Sequence, residues 1–375
     1  MDPLPIACDL VAVPSVSAQS NGPVSDVVEA LLRRLEFTVE RQEFTDPAGT
    51  PQVNVLGRKG PDGMGLAYFG HTDVVPAATW TCSHGPFTPT VRDGRLYGRG
   101  SCDMKGSIAA FLAAAARVPT SELTAPLYVV CTADEEIGYH GANYVVAHST
   151  IYREIVDSRA RGLIGEPTEL EVVYAHKGGC GFVVTSRGRA AHTSTREGVN
   201  ANWAMIPFLQ EMHDIHRETQ SDPTWLNAEF DPPEISLNLF VSDHDPVINM
   251  TAPETVCRVG FRPMPGQDPQ RLLDRAQKKA AECGLEFRML WNSSPLYTNP
   301  RSDLIQDVLK LAGKSTPRTV AFGTDGSCFG EVQELVVFGP GSVKQAHTDD
   351  EWLELDQLHS GANLYERLIR HWCTR

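Results

Sequence analysis

The chain has 375 residues, of which 41% are hydrophobic and 21% charged, enough for two or three soluble domains at roughly 150 residues each. A formal net charge of −14 argues against nucleic acid or an anionic membrane as a partner. Nine cysteines, scattered and without a CxxC pair, argue against a disulfide framework or an all-cysteine zinc site and fit a reducing cytoplasm.

The opening residues Met1-Asp2-Pro3-Leu4-Pro5 lack the basic and apolar regions of a signal peptide. The longest clean apolar run, residues 108–116, is far short of a membrane span. A cytoplasmic location is therefore expected.

In chain order, residues 25–35 predict an amphipathic helix with Ser25 as N-cap. Val53-Asn54-Val55-Leu56 and Leu66-Ala67-Tyr68-Phe69 predict short strands, and residues 105–117 an Ala-rich buried helix. Leu127-Tyr128-Val129-Val130-Cys131 is an apolar run of strand length. Such runs alternating with helices imply an α/β fold, a mixed and mostly parallel sheet covered by helices. The pattern changes near Lys177. Strands are expected at 181–186, 235–241, 255–261 and 285–290, with helices at 201–217 and around Leu272, Leu273, Ala276 and Ala280. The order β-α-β-β-α-β is that of a ferredoxin-like unit. Residues 178–292 are thus expected as a smaller inserted domain, and 1–177 with 293–375 as the discontinuous first domain.

Five short segments carry chemistry. His71-Thr72-Asp73 follows a strand, and residues two apart on an extended chain point the same way, so Asp73 can orient the His71 imidazole. A satisfied structural pair is the blander alternative. Asp103 lies in the glycine-rich turn Gly98-Arg99-Gly100-Ser101-Cys102-Asp103-Met104-Lys105-Gly106. Its two oxygens can bridge two cations, or it can simply cap the helix that follows. In Asp134-Glu135-Glu136-Ile137-Gly138 neighbouring side chains face opposite ways, and their mutual repulsion is costly unless a cation is present; a solvated acidic loop is the alternative. Gly165-Glu166-Pro167-Thr168 and Gly339-Pro340-Gly341, followed by Gln345-Ala346-His347-Thr348-Asp349-Asp350-Glu351, also fall near strand ends, where open α/β sheets form their ligand crevice.

Taken together, these motifs resemble the acetylornithine deacetylase and succinyl-diaminopimelate desuccinylase family of metallopeptidase-like amidohydrolases. The resemblance runs from residue 71 to 351. It implies two zinc ions, with cobalt able to substitute: His71 and Glu166 would hold one, Glu136 and His347 the other, and Asp103 would bridge them. Glu135 would be the general base and Asp73 the partner of His71. It also implies that the inserted domain is a lid through which a homodimer forms. His192, in Gly188-Arg189-Ala190-Ala191-His192-Thr193-Ser194, would reach the partner's active site. Asn249 and Arg262 resemble lid residues that hold substrate, the Arg262 fork suiting an α-carboxylate, and Gly323-Thr324-Asp325-Gly326 resembles a pocket-lining loop. His84, His140, His176 and His244 match no ligand position and are read as structural or exposed.

The stretch Gly339-Pro340-Gly341-Ser342 with Gln345-Ala346-His347 looks most like the acetylornithine branch. The implied substrate is therefore a small N-acyl amino acid, first of all N2-acetylornithine. Succinyl-diaminopimelate, acetylcitrulline or a dipeptide would use the same chemistry. The desuccinylase pattern has an arginine where Asp325-Gly326-Ser327-Cys328 has none, and a succinyl carboxylate wants a cation. A non-catalytic binding protein on the same fold would have lost a ligand or the base. There is no GxSxG elbow for a serine nucleophile.

Overall fold

The computed structural model describes residues 1–243 and 247–375; His244 lies outside them. The chain divides into two compact units. The first comprises Met1–Ala175, Tyr297–Arg318 and Thr324–Arg375, and the second His176–Leu296 and Thr319–Gly323.

The first unit is built on a mixed sheet. Its strands run in the spatial order Thr38–Thr45, Pro51–Lys59, Leu127–Thr132, Leu66–His71, Arg161–Ile164 and Leu335–Val337, and the sheet continues past the last of these through Val173–His176 and Leu296–Tyr297. The middle is parallel: Leu66–His71 pairs in parallel with Leu127–Thr132 and with Arg161–Ile164, which pairs in parallel with Leu335–Val337. Both central strands Leu66–His71 and Leu127–Thr132 are buried at every residue, as expected for a sheet covered on both faces. The margin is antiparallel, Thr38–Thr45 on Pro51–Lys59 and Pro51–Lys59 on Leu127–Thr132.

Helix Lys105–Ala116 is apolar around nearly its whole circumference. It packs between the N-terminal helix Pro3–Val11 and the C-terminal helix Leu355–Cys373, which explains why no polar face interrupts its alanines. Phe111 stacks on Tyr68 at 4.3 Å between ring centroids. The helix expected to begin at Ser25 begins earlier, at Gly22, with a proline in its first turn, where the missing N–H costs nothing. Ser25 is buried inside it and donates to the Val53 carbonyl instead of capping.

The second unit has the order strand Gly179–Arg187, helix Ala201–Ser221, strands Ser236–Ser242 and Glu254–Arg262, helix Gln270–Glu282 and strand Glu286–Ser293. Its sheet is antiparallel, with Glu254–Arg262 and Gly179–Arg187 in the middle and Ser236–Ser242 and Glu286–Ser293 at the edges. Strand Gly179–Arg187 is buried from Gly179 to Val184, and its Cys180, Phe182 and Val184 form the core of this unit with Met205, Phe208, Leu272 and Ala276. No helix among the described residues is long and apolar enough to cross a membrane.

Candidate active site

Three adjacent parallel strands end at one edge of the first unit. His71 is the last residue of its strand, Glu135 and Glu136 follow Leu127–Thr132, and Glu166 follows Arg161–Ile164. Asp103 and His347 arrive on loops. Ligand atoms of His71, Asp103 and Glu166 lie within 4.8 Å of one another, as do those of Asp103, Glu136 and His347, and those of His71, Glu135 and Glu136.

Asp103 is common to the first two groups. One oxygen is 3.1 Å from His71 Nε2 and the other 3.4 Å from His347 Nε2. His347 Nε2 is 3.0 Å from Glu136 Oε1, and His71 Nε2 is 3.7 Å from Glu166 Oε1. Asp103 does not cap the helix after it. The cap position is Met104, which makes no side-chain cap bond, so the Asp103 carboxylate is left to the two imidazoles.

Asp73 does more than partner His71. The oxygen nearest His71 Nδ1 is the main-chain carbonyl of Asp73 at 3.0 Å, whereas its carboxylate is 3.6 Å away. The carboxylate accepts instead from Glu135 N, Glu136 N and Ser17 Oγ. It thereby fixes the turn that aims both glutamates, a turn in which Asp134 takes a left-handed φ of 57°. Gly165, ahead of Glu166, has no room for a side chain: a Cβ there would lie 2.2 Å from Tyr68 Oη and 2.4 Å from Ser107 Oγ. Those hydroxyls belong to a buried chain in which Tyr68 donates to Ser107, Ser107 meets Tyr365, and Tyr365 donates to the Phe338 carbonyl.

The electrostatics are those of crowded, desolvated acids. Burial raises the Glu135 carboxyl well above its ordinary range; His71 opposes this, and the charges of Glu166, Glu136 and Asp325 add to it. Glu166 and Glu136 are raised by burial as well. His347 is pushed up to about 10 by its contacts with Asp103 and Glu136. Burial works against the charged form of His71, yet Asp103 and Asp73 beside it carry the imidazole well above its usual range. So many carboxylates out of water are stable only with compensating positive charge. Imidazole and carboxylate together suit divalent cations of the zinc type, so the residues present fit such ions.

Sequence reasoning passes over several neighbours. Asp325 is buried and accepts a hydrogen bond from Thr132 Oγ1 at the end of a central strand. Arg99 and Glu351 form a buried ion pair at 2.8 Å. Both stand inside quoted motifs, but nothing in a linear pattern shows that residues 252 positions apart meet.

In the second unit, His192 is exposed and its Nδ1 lies 2.7 Å from Ser194 Oγ. Asn249 sits beside it, its carbonyl accepting from Thr193 N at 3.0 Å. Arg262 is exposed at the end of its strand, and Gly323 belongs to the short 319–323 segment of this unit. His176 is wholly buried, and burial lowers it to about 4.

Fold and site together are those of a metal-dependent amidohydrolase. The chain belongs to peptidase family M20/M25/M40, whose family model matches residues 67–371. It is 34% identical to the acetylornithine deacetylase of Myxococcus xanthus, over 97% of this chain and 96% of that one. It is 32% identical to the acetylornithine deacetylase of Photorhabdus laumondii, over 97% and 95%. Among solved structures it is similar to an M20 family metallo-carboxypeptidase from Sulfolobus solfataricus, with TM-score 0.76, 16% identity and 99% of each chain covered. It is also similar to a tripeptidase from Staphylococcus aureus, with TM-score 0.74, 19% identity and 98% and 97% covered.

Proposed function

We propose that this chain hydrolyses the amide bond of N2-acetylornithine, releasing ornithine and acetate, with two zinc ions held by His71, Asp103, Glu136, Glu166 and His347. The observation that carries the reading is the shared position of Asp103, whose oxygens face the two imidazoles at 3.1 and 3.4 Å. The choice of acyl amino acid is supported by the acetylornithine deacetylases that match along nearly the whole chain. It is supported too by the loop Asp325-Gly326-Ser327-Cys328, which offers no cation to a succinyl carboxylate.

When bound, the ions supply Lewis acidity toward water and the acyl oxygen. Glu135 takes a proton from water as the water oxygen adds to the acyl carbon. Glu135 then delivers that proton to the amide nitrogen as the C–N bond breaks. Its burial among other acids, which raises its proton affinity, suits that exchange. Asp73 holds the Glu135 and Glu136 amides and so keeps the base aimed. Arg262 and Asn249 bind the substrate, the former at its α-carboxylate, with Gly323 in the pocket loop. His192 completes the site of a second copy.

That last role requires a homodimer, formed through the second unit. Its support is apolar surface: Trp203 and Ile206 are 72% and 52% exposed one turn apart on helix Ala201–Ser221, and Phe240 is 59% exposed on an edge strand. Edge strands and apolar patches of this kind are ordinarily covered.

Turnover of a panel of acyl amino acids is the direct test. Acetylornithine should be cleaved fastest, and faster cleavage of succinyl-diaminopimelate, acetylcitrulline or a dipeptide would replace the substrate. Glu135→Gln should keep both metals and lose about 10²–10⁴ of the rate. A variant with undiminished activity would remove Glu135 as the base.

A further inference from the structure

The turn from Gly98 to Asp103 lies in neither strand nor helix, yet its amides are buried and must find acceptors. Arg99 N donates to the Pro86 carbonyl and Ser101 N to the Gly98 carbonyl. The remaining donors converge on one residue. Glu351 Oε1 accepts from Cys102 N at 2.8 Å and Asp103 N at 3.0 Å. Glu351 Oε2 accepts from Gly100 N at 3.0 Å and Arg99 Nη1 at 2.8 Å, and the Glu351 carbonyl from Gly98 N at 3.1 Å. Gly100, at φ 83°, lets the turn curl around the carboxylate.

Glu351 is itself held. It is 1% exposed and leads into strand Trp352–Glu354, which pairs antiparallel with Arg95–Tyr97 just before the turn. Four residues upstream of Glu351 stands His347, at φ 64°. The carboxylate is therefore carried on the same short segment as His347 and lies one hydrogen bond from the Asp103 amide. Both of its oxygens are taken up by protein donors, so it is not among the metal donors.

We propose that Glu351 is a positioning residue for the metal centre: its carboxylate ties the turn bearing Asp103 to the segment bearing His347, and so sets the reach between those two ligands. The inference rests on the reading of Asp103 and His347 as ligands. Without the Glu351 carboxylate the Asp103 amide loses its acceptor, and Asp103 would drift from the place where one oxygen serves each ion. Partners that orient metal ligands are typically worth about 10–100-fold in affinity.

The test uses the full-length protein. Zinc binding is measured by calorimetry with a competing chelator, cobalt binding by its visible absorption, and turnover by kcat and KM. Glu351→Gln keeps the volume but turns an amide N–H₂ toward existing donors. It should weaken zinc about 10–100-fold, alter the cobalt spectrum, and lower kcat with KM little changed. Glu351→Asp, which keeps the charge but falls short, should recover part of that loss. Zinc affinity within about twofold of the parent and an unchanged cobalt spectrum in Glu351→Gln, whatever its melting temperature, would overturn the proposal and leave Glu351 a stabilising residue only.

If that variant does not fold, amide exchange in the chelator-treated parent decides. The Gly100, Cys102 and Asp103 amides should stay protected without metal, since their acceptor is Glu351; free exchange overturns the idea. Asp103→Asn runs alongside. Loss of zinc there, with Glu351→Gln unaffected, sinks the positioning role alone. Zinc binding equal to the parent's in Asp103→Asn sinks the metal-centre reading and this inference with it.

Discussion

His347 illustrates how a single side chain couples protons to the centre. Its contacts with Asp103 and Glu136 raise it from 6.5 to about 10. In the metal-free protein the imidazolium therefore adds stability that is fully present below about pH 6.5, the value of an unfolded histidine, and is lost as pH climbs through about 10. A bound cation needs the neutral ring and displaces that proton. Melting temperatures of chelated protein should fall between pH 6.5 and 10, and the fall should be shallower in His347→Ala. Parallel curves for the two proteins would show that His347 does not carry the linkage. Asp325, raised by burial from 3.8 to about 6, also loses stability as it ionises, but between those two values, below the window read for His347.

At the scale of elements, the site depends on how closely the strands and the buried helix approach. Gly165 leaves space for the Tyr68 and Ser107 hydroxyls immediately before Glu166. In Gly165→Ala the methyl meets rigid, hydrogen-bonded partners. It should cost about 1–3 kcal/mol by denaturant titration and weaken metal binding as Glu166 shifts. Phe111→Ala makes a contrast. It empties space beneath Tyr68 and should cost about 3–5 kcal/mol while leaving the metal affinity of the folded protein nearly intact. Equal effects of the two variants on metal affinity would mean that general loosening, not the Gly165 contact, governs Glu166.

For the whole molecule, all five proposed ligands belong to the first unit, so metal should stabilise that unit by mass action. At a free metal concentration of 100 times Kd the gain is about 2.7 kcal/mol. Calorimetry of chelated and reloaded enzyme should move the transition of the first unit and leave that of the second in place. A shift confined to the second unit's transition would place the metal elsewhere. Light scattering should report a dimer, and charge introduced at Trp203 and Phe240 should dissociate it; a fully active monomer would remove His192 from its role.

The sequence by itself determined what is written in local pattern. Apolar runs mark Leu66–His71 and Leu127–Thr132 because a buried parallel strand tolerates little else. The inserted ferredoxin-like order is legible because strand and helix periods differ. His71, Asp103, Glu136, Glu166 and His347 fall in short motifs near strand exits, each with a structural alternative of its own, and only the resemblance of the whole set to a family implies them as ligands. Other features escape such a reading. Strand Thr38–Thr45, Thr-Val-Glu-Arg-Gln-Glu-Phe-Thr, is polar because it lies at the sheet margin, and the Gly22 start is set by a proline rather than a capping side chain. Only the tertiary structure decided that Asp73 serves the glutamate amides with its carboxylate and His71 with its carbonyl. It alone brought Glu351 under the turn of Asp103. A hydrogen bond between distant segments leaves no periodic trace in the chain, because its geometry depends on every element packed between them.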